Sequence, residues 1–306
     1  MMKIKAFLFS VILFSLCSIY SHAQISLKYE YLGSSGYYLD KGDNPRKKIG
    51  DAKGSAMVYQ GSVNIPLSMK IDRNDKPVIW GIGLGGAYVS LNNKNFTENL
   101  VISEIMNIEL GIYHMRTIND KWSLMASMGA GLYSSSTKLS QIRGKQILGN
   151  VSAVFIHHFS ENFQLGGGIA INNTFGYPMI FPTVYLNWIL PGRYDFMISM
   201  ANGLEISAGL DINKYLKLSL IAEMNGQGAL LEKDGKDVMF SHQYIVAGLR
   251  PQIKIDDRIS IPITAGINAF RPAYYSDRTL KAMFATDQDY YFQISPYVSA
   301  GLNIYF

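Results

Sequence analysis

The chain has 306 residues, with 17% charged and 48% hydrophobic side chains, a formal net charge of +5 and one cysteine, Cys17. A single cysteine excludes an internal disulfide framework, and the basic residues form no stripe of the kind nucleic acid requires. No run after residue 23 approaches the roughly 20 apolar residues of a transmembrane helix.

Lys3 and Lys5 precede an uncharged apolar run over 6–20, and Ser21-His22-Ala23 follows with a small-x-small pattern. This predicts a cleavable export signal over 1–23, cut after Ala23. Leu16 stands where a lipoprotein site needs a small residue before Cys17, so no lipid anchor is expected. Loss of Lys3 and Lys5 lowers the net charge to +3. Residues 24–306 show no linker and read as one domain.

Alternation of apolar and polar residues predicts strands over 25–31, 55–69, 78–91, 105–117, 122–133, 147–159, 163–174, 180–190, 194–201, 204–212, 216–224, 245–255, 259–270 and 290–306. The fold class is therefore all-β: one closed antiparallel transmembrane β-barrel of about 14 strands, with 12 as the alternative count. Short polar turns fall at Asp72-Arg73-Asn74-Asp75, Asn119-Asp120, Glu161-Asn162, Pro191-Gly192, Asn213-Lys214 and Asp256-Asp257. Longer segments over 36–53, 92–103, 134–145, 226–238 and 271–289 alternate with them, and two further connections, at Gly176-Tyr177 and Asn202-Gly203, are tight. This is the pattern of short periplasmic turns and longer outer loops. A chain that starts and ends in the periplasm needs an even number of strands, so the weak segment 25–31 is counted.

Trp80, Trp122, Trp188, Phe159, Phe163, Tyr194 and Tyr215 lie within a few residues of short turns, as an aromatic girdle requires. Tyr88, Tyr133, Phe175, Tyr177, Phe240, Phe270, Tyr290 and Tyr291 are expected to form the opposite girdle. With the apolar set facing lipid, Lys28 and Glu30 point inward. The candidate lumen-lining residues are Glu109, Asp195, Glu205, Asp211, Lys217, Glu223, Arg250 and Lys254. Both signs are present, so strong ion selectivity is not expected, and the interior is either a water-filled passage or a mutually paired plug. Inward glycines at Gly81, Gly83, Gly85, Gly129, Gly131, Gly166 and Gly168 are read as relief of crowding in a curved sheet.

Residues 81–86 match a dinucleotide-binding spacing, but they lie inside an alternating strand with no helix to receive a pyrophosphate. His157 and His158 point to opposite faces of one strand, so they cannot ligate one metal together. His114 and His157 follow the lipid-facing set. His242 alone has a position from which it could act as a base, and it is read as a solvated rim histidine. No catalytic, metal or cofactor site is predicted, and the chain is not expected to be an enzyme. The segment 271–289 mixes aromatics and charge and is read as an ordered loop or a constriction at the mouth.

The last strand alternates to an aromatic carboxylate, with Leu302, Ile304 and Phe306 on one face. Together with the export signal, the alternation and the two belts, it resembles the outer-membrane β-barrel proteins of Gram-negative bacteria, in particular porin-like barrels. That resemblance implies an outer-membrane location, contact with lipid and lipopolysaccharide, and recognition of Leu302, Ile304 and Phe306 by the barrel-assembly machinery. It implies a passive pore for small solutes. The alternatives are a non-conducting barrel that binds lipid, polysaccharide or a periplasmic partner, and a membrane-embedded hydrolase using His242. Lys41, Arg46, Lys47 and Lys48 of the first loop are expected to touch anionic lipopolysaccharide.

Overall fold

The computed structural model describes residues 23–40, 46–200, 203–279, 281–282 and 289–306; residues 1–22 of the predicted signal, Lys41 of the first loop and most of 280–288 lie outside them. The strands are β1 (Gln24–Asp40), β2 (Lys47–Ile71), β3 (Pro77–Lys94), β4 (Glu104–Asn119), β5 (Trp122–Ser134), β6 (Ile147–Ser160), β7 (Phe163–Asn172) and β8 (Met179–Leu190). They continue as β9 (Tyr194–Ser199), β10 (Leu204–Asn213), β11 (Leu216–Lys233), β12 (Lys236–Lys254), β13 (Ile259–Asp277), β14 (Asp289–Phe292) and β15 (Ser295–Tyr305). From β1 to β14 each pairs antiparallel with its neighbour in sequence. The short β14 and the longer β15 both lie between β13 and β1, and so form one interrupted wall strand. The sheet thus closes into a ring of 14 wall strands, not 12. Closure is what hydrocarbon demands, because it offers no partner to an unpaired backbone group.

The predicted faces are the observed ones. Leu27, Leu84, Leu110, Leu220, Leu249 and Val298 stand exposed around the outside, an apolar band far larger than water tolerates but suited to lipid. This is the architecture of an outer-membrane β-barrel. At the short-turn end the aromatic rings touch in sequence. Trp80 lies on His114 with centroids 4.3 Å apart, while Trp122, His157, Phe159, Phe163, Trp188 and Phe196 form a continuous run of ring contacts. His114 and His157 therefore sit in the girdle, as their parity indicates.

The opposite girdle differs from expectation. Its clearest part is a row on the outer face, Tyr29, Tyr59 and Tyr88, opposite one another on β1, β2 and β3. Tyr133 and Phe240 are instead buried inside. Their positions along the strands suit a girdle, but their parity points them inward, and parity decides.

Two predicted outer loops, 36–53 and 226–238, are largely strand among the described residues, and a third, 271–289, begins as strand. β1 and β2 extend to Asp40 and from Lys47, β13 runs on to Asp277, and β11 and β12 are joined by a two-residue turn at Asp234-Gly235. Both turn residues have positive φ, 52° and 74°, the conformation of the tightest hairpins and one that Asp-Gly favours. The polar residues around that turn, Glu232, Lys233, Lys236 and Asp237, hide the alternation on either side of it. The predicted turn at Asn202-Gly203 lies partly outside the described residues; Gly203 has φ +97°.

The wall is uneven. β7 to β10 have 10, 12, 6 and 10 residues, whereas β1, β2 and β3 have 17, 25 and 18, and β11 to β13 have 18, 19 and 19. The long group projects past the short group on the outer side.

Inward glycines make room for neighbours. A Cβ on Gly81 would collide with the Tyr113 ring, and one on Gly209 would collide with Asp195 and Lys217. The relief of crowding thus has named beneficiaries: a tyrosine ring and an ion pair.

Candidate functional site

β11 leaves its neighbour β10 at the Leu204–Met224 pair. From there its outer half crosses the interior to the facing wall. Leu230 forms a parallel bridge with Ser134 of β5, the Asn107 side chain of β4 donates to Gly228 O at 2.7 Å, and Gln146 donates to Leu230 O at 3.0 Å. Leu230 and Met239, whose parity would face lipid, pack instead on the inward side chains Tyr133 and Leu148. Ser241 and Gln243, also at lipid-facing positions of β12, are buried too. The β11–β12 hairpin is therefore folded into the mouth.

Its tip is held by groups in the outer connections. Lys145 reaches Glu232 at 2.8 Å and Asp237 at 2.6 Å, and Lys233 donates to Asn99 O at 3.0 Å. At the end of β13, Arg278 donates to Thr174 O, Asn173 O and Lys145 O at 2.8, 3.2 and 3.2 Å. These groups tie the long strands over the short side of the wall.

The infolding closes β11 to β15 with β1 to β4 into a smaller ring on the outer side. Its interior is a dry core that includes Leu32, Tyr37, Val58, Val89, Ile105, Phe240 and Phe292. Below it lies a polar floor. Glu30, fully buried, accepts from Tyr297 at 2.6 Å, Tyr244 at 2.7 Å and Gln60 at 2.5 Å, and Lys28 lies 3.0 Å away. Lys28 also pairs with Glu223 at 2.8 Å. Arg250 pairs with Glu223 and, at 3.0 Å, with Glu205, and it donates to Thr264. Three carboxylates and two cations thus form one connected network spanning β1, β2, β10 to β13 and β15.

Seven of the eight sequence candidates meet in ion pairs: Glu205, Glu223 and Arg250 in the floor, Asp195 with Lys217 at 2.7 Å, and Asp211 with Lys254 at 3.0 Å. Glu109 instead accepts from Tyr133 at 2.8 Å. Of the two interiors open at the sequence level, this half holds the paired one.

His242 is not at a solvated rim: it is completely buried, with Nδ1 3.4 Å from Gln227 Oε1 and Nε2 without a protein partner among the described residues. Arg271, expected in a loop, is an inward strand residue. It donates to Gly54 O at 2.5 Å, with its guanidinium over Phe292. The infolded hairpin creates both burials, and parity alone cannot reveal it.

The other half of the interior, along β4 to β8, carries an apolar cluster of Met115, Met125, Val154, Ile156 and Tyr185. Next to it Ser123 Oγ lies 2.7 Å from His158 Nε2, a contact sequence reading missed because the partners are on different strands. No carboxylate bonds to His158 among the described residues, so the orienting acid of a hydrolytic triad is missing from this pair. The described residues hold no group of three or more metal-ligating side chains.

At the closing seam Leu302 is opposite Leu27, Ile304 lies between Ile25 and Ile259, and the Phe306 N–H donates to Ala23 O at 2.9 Å.

No curated protein matches the chain. Among solved structures it is similar to the COG4313 outer membrane channel from Pseudomonas putida F1, at 9% identity and TM-score 0.45, covering 94% of this chain and 97% of that one. It is also similar to the P. putida toluene transporter TodX, at 10% identity and TM-score 0.33, covering 94% and 91%. A third is LpxR from Salmonella typhimurium, at 7% identity and TM-score 0.36, covering 92% and 100%. The matching family model spans residues 19–305, and the chain belongs to that family, described as a domain of unknown function (DUF6268).

Proposed function

We propose that this protein is a gated passive pore for small solutes, exported by the 1–23 signal, and that its structure is the closed state. The observation that carries the reading is the β11–β12 hairpin, a piece of wall lying across the mouth and attached to the facing strands by a few contacts. Movement of that hairpin away from β4 and β5 opens the side lined by β4 to β8, while the polar floor around Glu30 stays in place. Asp195, Glu205, Asp211, Lys217, Glu223, Arg250 and Lys254 are held in ion pairs, so they impose no strong preference for either ion sign on the pore. Leu302, Ile304 and Phe306 present the terminal strand to the assembly machinery.

The tip of the hairpin makes the gate sensitive to acid. Hydrogen bonding and charge from Lys145 hold the Glu232 carboxyl below its ordinary value of 4.5; Arg143 adds to this and Asp237 opposes it. A carboxylate lowered in this way contributes fully above its ordinary value and is lost as pH falls through the folded value. Folded protein in a planar bilayer is expected to be mostly closed at pH 7 and to open more often below pH 4.5. Glu232→Gln reproduces that opening at pH 7. Large steady steps at pH 7 would show an ungated porin, and silence at every pH would reject the pore. The dry core of the smaller ring favours one other reading, a non-conducting barrel that binds lipid or polysaccharide, and silence at every pH supports it.

A further inference from the structure

The outer face of β2 and β3 changes character in a fixed order toward the outside. First comes the apolar band, with Leu27 and Leu84 exposed. Next is the row of Tyr29, Tyr59 and Tyr88, with ring centroids 5.1 and 6.2 Å apart, which marks the depth where hydrocarbon gives way to head groups. Immediately beyond it is a cleft of about 430 Å³, lined by the polar Ser55, Ser90, Asn92, Ser103 and Glu104 and the apolar Met57 and Leu91, with Tyr88 at its base. That volume falls within the ~300–1,000 Å³ of small-molecule sites. Glu104 accepts from Tyr88 at 3.4 Å and from the Thr137 N–H at 3.1 Å.

One step further out, two residues beyond the Ser55–Asn92 pair and on the same face, Lys53 and Lys94 stand directly opposite each other. Both are exposed, and neither has an ion-pair partner among the described residues. Like charges directly opposite on neighbouring strands repel, and the shift of two residues sets the lysines roughly 7 Å from the cleft's outer edge. Hydroxyls, an amide and a carboxylate beside an aromatic ring suit a sugar. Two lysines one sugar's reach away suit a phosphate.

We propose that this strip binds the phosphorylated sugar head group of an outer-leaflet glycolipid. Its acyl chains lie on the apolar band and the tyrosine row, a sugar ring occupies the cleft, and a phosphate bridges Lys53 and Lys94. The order of polarity along the strip, apolar then hydroxylated then cationic, is the order along such a lipid. A phospholipid has the chains and the charge but no sugar for the cleft. This assignment holds whether or not the barrel conducts.

Native mass spectrometry of the folded barrel tests it, with diphosphoryl lipid A, its dephosphorylated form and phosphatidylglycerol as probes. One diphosphoryl lipid A is expected to stay bound per barrel. Its affinity should fall by about tenfold or more in Lys53→Gln/Lys94→Gln, the loss of charge-assisted hydrogen bonds, and the dephosphorylated form should bind the unaltered barrel as weakly. Both lysines are exposed, so folding should be unaffected, and the two lipid A forms test the claim on unaltered protein in any case. Equal binding of both forms, full affinity in the double variant, or equal competition by phosphatidylglycerol would overturn the proposal.

Discussion

A disulfide between Ser134→Cys and Leu230→Cys, in a Cys17→Ser background, is expected to abolish channel openings when oxidised and to restore them on reduction. The two residues form the bridge between β5 and β11, and bridged residues on neighbouring strands lie about 4.8 Å apart, inside the disulfide window of about 4.4–6.8 Å. The bond ties the hairpin to the opposite wall. The complementary change is Leu230→Asp. Leu230 is 1% exposed against Tyr133, Leu148 and Met239, and removing one buried leucine costs about 1.5–3 kcal/mol, which raises the open-to-closed ratio about 10- to 150-fold. Planar-bilayer recordings read both. Openings that persist in the oxidised pair would place the gate elsewhere.

The second large effect is on stability. Glu30→Ala leaves the hydroxyls of Tyr244 and Tyr297 without their acceptor and the Gln60 amide with only the Tyr244 hydroxyl, at 3.2 Å, and it removes one of two carboxylates from Lys28. Deleting one member of a buried charged network costs about 3–5 kcal/mol, chiefly because the partners remain buried and unpaired. Glu30→Gln, which keeps an acceptor oxygen, should lose less. Urea unfolding in detergent, followed by the heat-dependent shift in gel mobility, measures both. Equal stability of Glu30→Ala and the parent would mean that water reaches this floor. Conductance should change little, because the core above Glu30, from Leu32 to Phe292, still fills the smaller ring.

What the amino-acid order determines by itself is whatever depends on parity and local turn chemistry. Period-two alternation assigns Leu27 and Leu84 to lipid and Lys28 and Glu30 to the interior, because successive side chains on a strand must point to opposite faces. Parity likewise assigns His114 and His157 to the girdle, and an even number of crossings requires β1. Even Asp234-Gly235 carries a legible hairpin signal, though the charges around it conceal how far β11 and β12 extend. Only the tertiary structure decides where those extensions go. Beyond Met224, β11 exchanges its neighbour β10 for the opposite wall, and a residue such as Leu230 is then buried on the face that parity assigns to lipid. The same fold buries His242 and Arg271 and joins Glu30 to Tyr244, 214 residues away. Such contacts arise from unequal strand lengths around a closed ring. That property belongs to the whole sheet, and no single strand carries it.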